Sequence, residues 1–129
     1  MENIYIEGSN DVYFVPTVNF DAEKGYCEIA GESFLAETVK FYSPLINWLE
    51  DYTTQKLGPL EFVFKLSYFN TSSSKCILDL LKVMKKYQDH GGKVQVYWHY
   101  DIDDADMQDA LEDYIIDTGV SIELMPIKD

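Results

Sequence analysis

Basic residues are scarce in this chain. Ten stand against 23 acidic ones over 129 residues, a formal net charge of −13 at pH 7. Such a charge repels a nucleic-acid backbone and an anionic lipid surface alike, so both are disfavoured as partners. Cysteine is nearly absent: Cys27 and Cys76 are too few for a disulfide framework, and neither belongs to a Cys-x-x-Cys pair. A reducing cytoplasm is the compartment this predicts. No apolar run approaches the roughly 18 residues that a membrane span needs. The start, Met1-Glu2-Asn3-Ile4, lacks the basic and apolar regions of a signal peptide. Neither a Gly-x-Gly-x-x-Gly fingerprint nor a phosphate loop is present, which argues against a nucleotide site.

What is abundant is apolar and aromatic side chain. Hydrophobic residues make up 47% of the chain, enough to build a core without help from metals or disulfides. With no internal repeat and no Pro/Gly-rich break, residues 1–129 read as one domain. Short strands are expected at Ile4–Ile6, Val12–Val15 and Tyr26–Ile29, as a meander or pair of hairpins. Glu37–Tyr42 reads as a helical turn. A firmer helix is predicted from Ser43-Pro44, with serine as cap and proline at the first helical position, ending at Gly58-Pro59. Its inward stripe is Leu45, Ile46, Trp48, Leu49 and Tyr52.

Leu60–Phe69 is apolar almost throughout, as a central strand buried on both faces would be. A helix follows over about Ser72–Asp89, with Cys76, Ile77, Leu80, Leu81 and Met84 on one side and Gly91-Gly92 closing it. Val94–Tyr100 alternates as a strand, a third helix spans about Asp103–Asp117, and Val120–Ile127 is the last strand. Strands alternating with helices after Leu60 predict right-handed parallel crossovers. The expected class is α/β, a mixed sheet with helices packed on it.

Between the Leu60–Phe69 strand and its following helix lie four consecutive hydroxyls: Thr71, Ser72, Ser73 and Ser74. A helix amino terminus presents free N–H groups and partial positive charge, and so accommodates phosphate. One cap, by Thr71 or Ser72, would need one hydroxyl. Four suggest a site of phosphorylation.

Other constellations are weaker. Asp101-Ile102-Asp103-Asp104-Ala105-Asp106 invites a calcium-loop reading with Glu112 as the twelfth residue, but Ala105 falls on a ligand position and Asp106 replaces the turn glycine. Asp103 as helix cap, with Asp104 and Asp106 in the first turn, accounts for the run better. Cys76 and His99 are a possible nucleophile and base, yet Cys76 lies on an apolar stripe where free cysteine is usually inert. His90 beside the glycine pair reads as a helix-end residue. No zinc or other metal spacing and no cofactor motif stands out. Most of the ten tyrosines and seven phenylalanines coincide with core stripes, while Tyr13, Tyr42 or Tyr68 are candidates for a protein-binding patch.

The run Tyr68-Phe69-Asn70-Thr71-Ser72-Ser73-Ser74-Lys75, with Val96-Tyr97-Trp98-His99-Tyr100-Asp101 after the next helix, resembles the SiaC-type regulatory phosphoproteins of bacteria. Gly31-Glu32-Ser33, Phe41-Tyr42-Ser43-Pro44-Leu45, Trp48-Leu49 and Asp103-Asp104-Ala105-Asp106-Met107 agree, so the resemblance covers about Thr17 to Leu124. Two positions depart from the pattern: Phe34-Leu35-Ala36-Glu37 in place of an aromatic-Pro-Glu-Asn sequence, and Leu111 in place of a glycine.

The resemblance implies a STAS-like fold, related to that of anti-anti-sigma factors, and a non-enzymatic module without cofactor. It implies phosphorylation of Thr71, with Ser72 as second choice, by a Ser/Thr protein kinase, and reversal by a PP2C-like phosphatase. The unmodified protein would bind and activate a partner enzyme, a diguanylate cyclase, in cyclic di-GMP signalling. Asn70, Ser73 and Lys75 would support the turn. The alternatives are a small enzyme using Cys76 and His99, or an unswitched protein- or ligand-binding domain.

Overall fold

The computed structural model describes residues 1–55 and 58–128. Strands β1 (Ile4–Ile6), β2 (Ser9–Asn10), β3 (Phe14–Val15), β4 (Thr17–Asp21) and β5 (Tyr26–Ser33) lead to helix α1 (Thr38–Gln55). Then β6 (Leu60–Phe69), α2 (Thr71–Asp89), β7 (Val94–Asp101), α3 (Ala105–Thr118) and β8 (Ile122–Ile127) alternate to the end. Six strands form one sheet in the order β1-β4-β5-β6-β7-β8, and β2 and β3 form a separate two-stranded ribbon. β1, β4 and β5 pair antiparallel, as a meander does, whereas β5 through β8 pair parallel. This is the mixed α/β sheet expected from the sequence, with Thr17–Asp21 as a strand that the sequence reading left unassigned.

Three right-handed crossovers in one direction along the sheet put all three helices on one face. The core joins that face to the inner stripes of the helices: Phe20, Ile29, Phe62, Phe64, Leu66 and Trp98 from the strands meet Leu45 and Leu49, Ile77 and Leu80, and Leu111. The reading of Leu60–Phe69 as buried on both faces is therefore corrected. Leu60, Phe62, Phe64 and Leu66 are buried, but Glu61, Lys65 and Ser67 are exposed on the outer face and only Val63 is covered there. Val63 breaks the polar alternation and makes the strand look two-sided.

The start of α1 is a second correction. Ser43 is no cap and Pro44 is not the first helical residue, because the helix runs unbroken from Thr38 with Pro44 in its second turn. Proline there forgoes one hydrogen bond, normally a costly loss. Tyr42 and Leu45 on either side are fully buried, so packing holds the helix against its local preference. In α3 the cap is Asp104, whose side chain accepts from the Met107 N–H at 2.9 Å, and not Asp103. Asp103 instead donates its N–H to Asp101 Oδ1 at 2.9 Å in the preceding turn.

One irregularity positions the site. The β5–β6 register slips after Gly31, which pairs with Leu66, so that Glu32 pairs with Tyr68 and Ser33 with Phe69. Gly31 has φ of +106°, a conformation that favours glycine, at this bulge. The slip sets Ser33 beside the last residue of β6, where α2 begins.

Candidate functional site

Asn70 ends β6 and caps α2. Its backbone N–H donates to the Ser33 carbonyl at 3.2 Å, and its side-chain oxygen accepts from the Ser73 N–H at 3.0 Å. The cap position is thus filled by Asn70, and neither Thr71 nor Ser72 is needed for it. That frees the four hydroxyls for other roles, and the structure gives each a different one.

Ser73 is fully buried. Its hydroxyl donates to the Ser33 carbonyl at 3.2 Å and lies 2.8 Å from Ser33 Oγ, which in turn is 2.7 Å from the Tyr42 hydroxyl. Burial pushes the Tyr42 phenol up to about 12, partly offset by its bond to Ser33, so it stays a neutral hydrogen-bonding group. Ser74 is half-buried, 2.7 Å from the Tyr114 hydroxyl, which also donates to the Ser74 carbonyl at 3.0 Å. Burial likewise holds Tyr114 at about 12. Ser72 is exposed but engaged: it donates to Asn70 Oδ1 at 3.3 Å and meets the Thr38 hydroxyl of α1 at 3.0 Å.

Thr71 differs from all three. It is the first residue of α2, exposed to solvent, and among the described residues its hydroxyl is held by no hydrogen bond. Thr71 and Ser74 line an open groove of about 350 Å³ between α2 and α3, with Lys75, Leu78, Asp113 and Asp117 among its other walls. Lys75 is exposed, one turn along from Thr71.

The match to a family of known proteins covers nearly the whole chain: residues 6–127 fit the SiaC family regulatory phosphoprotein. The chain belongs to the SiaC family. That places it among regulatory proteins rather than enzymes. An uncharacterised protein of Pseudomonas aeruginosa (strain UCBPP-PA14) is 29% identical over 101 residues, 78% of each chain. The crystal structure of apo-SiaC from Pseudomonas aeruginosa superposes with a TM-score of 0.86 at 25% identity, covering 97% of this chain and 99% of that one. A third relative in fold is found in the crystal structure of the diguanylate cyclase SiaD in complex with its activator SiaC, also from Pseudomonas aeruginosa. It has a TM-score of 0.89 at 24% identity, covering 96% of this chain and 99% of that one.

A SiaC-family regulator has no need of the Cys76–His99 pairing, and the geometry does not supply it. Cys76 is buried on the α2 stripe, and burial, with a lesser push from Asp79, raises its thiol pKa, opposite to what a nucleophile requires. His99 lies half-buried on β7, with no hydrogen bond to Cys76. Among the described residues no cluster of three or more His, Cys, Asp or Glu could hold a metal ion. Asp101 and Asp104 spend their carboxylates on local turns and caps. Of the tyrosines singled out from the sequence, Tyr13 and Tyr68 are exposed as a binding patch requires, whereas Tyr42 is wholly buried. No described helix is long and apolar enough to cross a membrane.

Sequence reading identified Asn70, Thr71, Ser72, Ser73 and Lys75, and the structure gathers them in one turn of chain. It gave no role at the turn to Ser33, Thr38, Tyr42 or Tyr114, which hold Ser72, Ser73 and Ser74 directly or, for Tyr42, through Ser33. Ser33 pairs with Ser73 across 40 residues of sequence, and no local pattern announces such a pair.

Proposed function

We propose that this SiaC-family protein is a partner-binding switch in which a Ser/Thr protein kinase phosphorylates Thr71 and a PP2C-like phosphatase removes the group. The unmodified form binds and activates an effector enzyme, a diguanylate cyclase, in the cytoplasm. The observation that carries the choice of residue is the contrast among the hydroxyls. Ser73 is fully buried and Ser72 and Ser74 are hydrogen-bonded, while Thr71 projects freely into solvent. A kinase must reach the hydroxyl it modifies, and Thr71 is the one it reaches without breaking a bond. The crystal structure in which a SiaC protein accompanies a diguanylate cyclase as its activator supports the choice of effector class.

The sign of the switch follows from charge. Phosphorylation adds about −1.5 to −2 charges with strong acceptor oxygens at neutral pH. At the first position of α2 the helix dipole favours that charge by about 0.3–1 kcal/mol, so the fold tolerates it. No internal clamp captures it. The chain contains no arginine, the residue that binds phosphate in bidentate fashion, and the groove beside Thr71 offers one cation, Lys75, against two carboxylates, Asp113 and Asp117. A partner that packs over the turn would bury an uncompensated dianion at a cost of about 3 kcal/mol or more, over a hundredfold in affinity. Phosphate therefore expels a partner.

The test is titration of the cyclase against the protein before and after kinase treatment. Wild type should lose affinity on treatment, and Thr71→Ala should bind equally well with and without kinase. Kinase-sensitive binding in Thr71→Ala, with Ser72 or Ser74 modified instead, would move the site. Unchanged binding of fully phosphorylated wild type would end the proposal.

A further inference from the structure

Ser33, Thr38 and Ser73 are the buried serines and threonines of the described residues, and all three gather at the start of α2. A buried hydroxyl without a partner is costly, so each is expected to serve a bond. Ser33 and Ser73 serve one another. Thr38 serves Ser72 alone. Its hydroxyl lies 3.0 Å from Ser72 Oγ, across 34 residues of chain, and makes no other hydrogen bond among the described residues. The unexpected first turn of α1 is what brings it there, since a helix begun at Ser43-Pro44 would not reach Ser72. Thr38 and Tyr42 stand four residues apart and so share one helix face. That face makes two links to α2: Thr38 to Ser72, and Tyr42 through Ser33 to Ser73.

Ser72 is exposed, as Thr71 is, and stands next to it in the chain, so exposure alone does not separate them. Bonding does. The Ser72 hydroxyl gives its one proton to Asn70 Oδ1 at 3.3 Å, which makes Thr38 the donor in their contact and occupies a Ser72 lone pair. Phosphorylation needs both. The acceptor oxygen uses a lone pair to form a bond to the γ-phosphorus of a nucleoside triphosphate, and the bond from that phosphorus to the diphosphate leaving group breaks. The hydroxyl proton passes to a base of the kinase. At Ser72 the proton and a lone pair are both held, whereas at Thr71 neither is.

We infer that Thr38 is a specificity-determining residue, which shields Ser72 and so confines phosphorylation to Thr71. The inference rests on the Thr71 reading above and adds the residue that enforces it. Loss of the Thr38 hydroxyl removes one of the two restraints on Ser72. One hydrogen bond of ordinary net strength corresponds to about a two- to tenfold change in how often the hydroxyl is free.

In the test, the full chain is incubated with ATP and the Ser/Thr kinase activity of its own cells. Initial phosphate on each hydroxyl of Leu66–Lys75 is read by fragment-resolved mass spectrometry. The proteins are wild type, Thr38→Val, which keeps the shape and loses the hydroxyl, and Thr38→Ser, which keeps the hydroxyl. Thr71→Ala, alone and combined with Thr38→Val, isolates Ser72. Circular dichroism and Tm check folding, and Thr38→Ala replaces the valine variant if α1 is disturbed. Wild type and Thr38→Ser are expected to carry phosphate on Thr71. Thr38→Val should raise the Ser72-to-Thr71 ratio by about threefold or more, with Ser73 and Ser74 unmodified. The double variant should take phosphate on Ser72 faster than Thr71→Ala alone. General loosening of the turn would release Ser74 as well, so equal gains at Ser72 and Ser74 refute the role of Thr38. An unchanged ratio, with Thr71 still modified, also refutes that role and leaves the Thr71 reading standing. Phosphate on Ser72 in place of Thr71 in wild type, or on no hydroxyl of the turn, refutes the reading and the inference together.

Discussion

Replacing the four hydroxyl residues of the α2 turn one at a time by alanine should give three levels of stability. Ser73→Ala removes a fully buried hydroxyl and with it two hydrogen bonds, while the Ser33 carbonyl keeps the Asn70 N–H and Ser33 Oγ keeps the Tyr42 hydroxyl. At about 0.5–1.5 kcal/mol for each bond, the loss is about 1–3 kcal/mol. For a chain of this length each kcal/mol moves Tm by about 4 °C, so the expected loss is about 4 to 12 °C. Ser74→Ala leaves Tyr114 its bond to the residue-74 carbonyl, and Ser72→Ala removes exposed contacts of 3.0 and 3.3 Å. Each should cost about 0.5–1 kcal/mol. Thr71→Ala removes a hydroxyl with no partner and should stay within about 0.5 kcal/mol of wild type, or about 2 °C. Urea and thermal unfolding followed by circular dichroism give the ranking. A Thr71→Ala variant as damaged as Ser73→Ala would refute the claim that Thr71 is the free hydroxyl, and with it the structural argument for its modification.

Tyr42 and Tyr114, held at about 12 against an ordinary 10.0, should ionise later than exposed tyrosines in a tyrosinate absorbance titration. Because the folded values are raised, their contribution to stability is complete below about pH 10 and is lost as pH rises toward 12, which urea unfolding across that range would detect. Native Cys76, buried and with its pKa raised, should react with a thiol reagent far more slowly than the unfolded thiol; rapid native labelling would contradict its place in the core. Gly25→Ala should be among the most damaging small substitutions, costing about 2 kcal/mol or more. Gly25 has φ of +63°, and an added Cβ would collide with the Pro59 carbonyl oxygen and sit 2.5 Å from the Tyr52 hydroxyl that bonds to it. Normal urea stability of that variant would refute the close packing of the β4–β5 turn.

The parts of the molecule legible in the sequence are those governed by local pattern. The apolar run Leu60–Phe69 and the stripe Cys76, Ile77, Leu80, Leu81 and Met84 became β6 and α2 nearly residue for residue, and the hydroxyl turn between them lies where the pattern changed period. Parallel crossovers followed from the alternation of strands with helices. Where tertiary contact overrides local preference, the reading slipped. Ser43-Pro44 is a strong start signal, yet burial of Tyr42 carries the helix back to Thr38. Thr17–Asp21 is a short strand that owes its place to pairing with both β1 and β5. Tyr42, a surface candidate by composition, is fully buried on α1 with its hydroxyl on Ser33 Oγ, which in turn meets Ser73 40 residues further along the chain. The turn was readable because β6 and α2 are adjacent; the groups that single out Thr71 within it come from α1, β5 and α3, which only the fold brings together.

Fragment-resolved mass spectrometry of the tryptic peptide Leu66–Lys75, from protein isolated out of its own cells in several growth states, tests the central claim most directly. The account predicts phosphate on Thr71 in at least one state, with Ser73 and Ser74 unmodified. Phosphate confined to Ser72 or Ser74, or none in any state or after treatment with the cell's own Ser/Thr kinase, would contradict it.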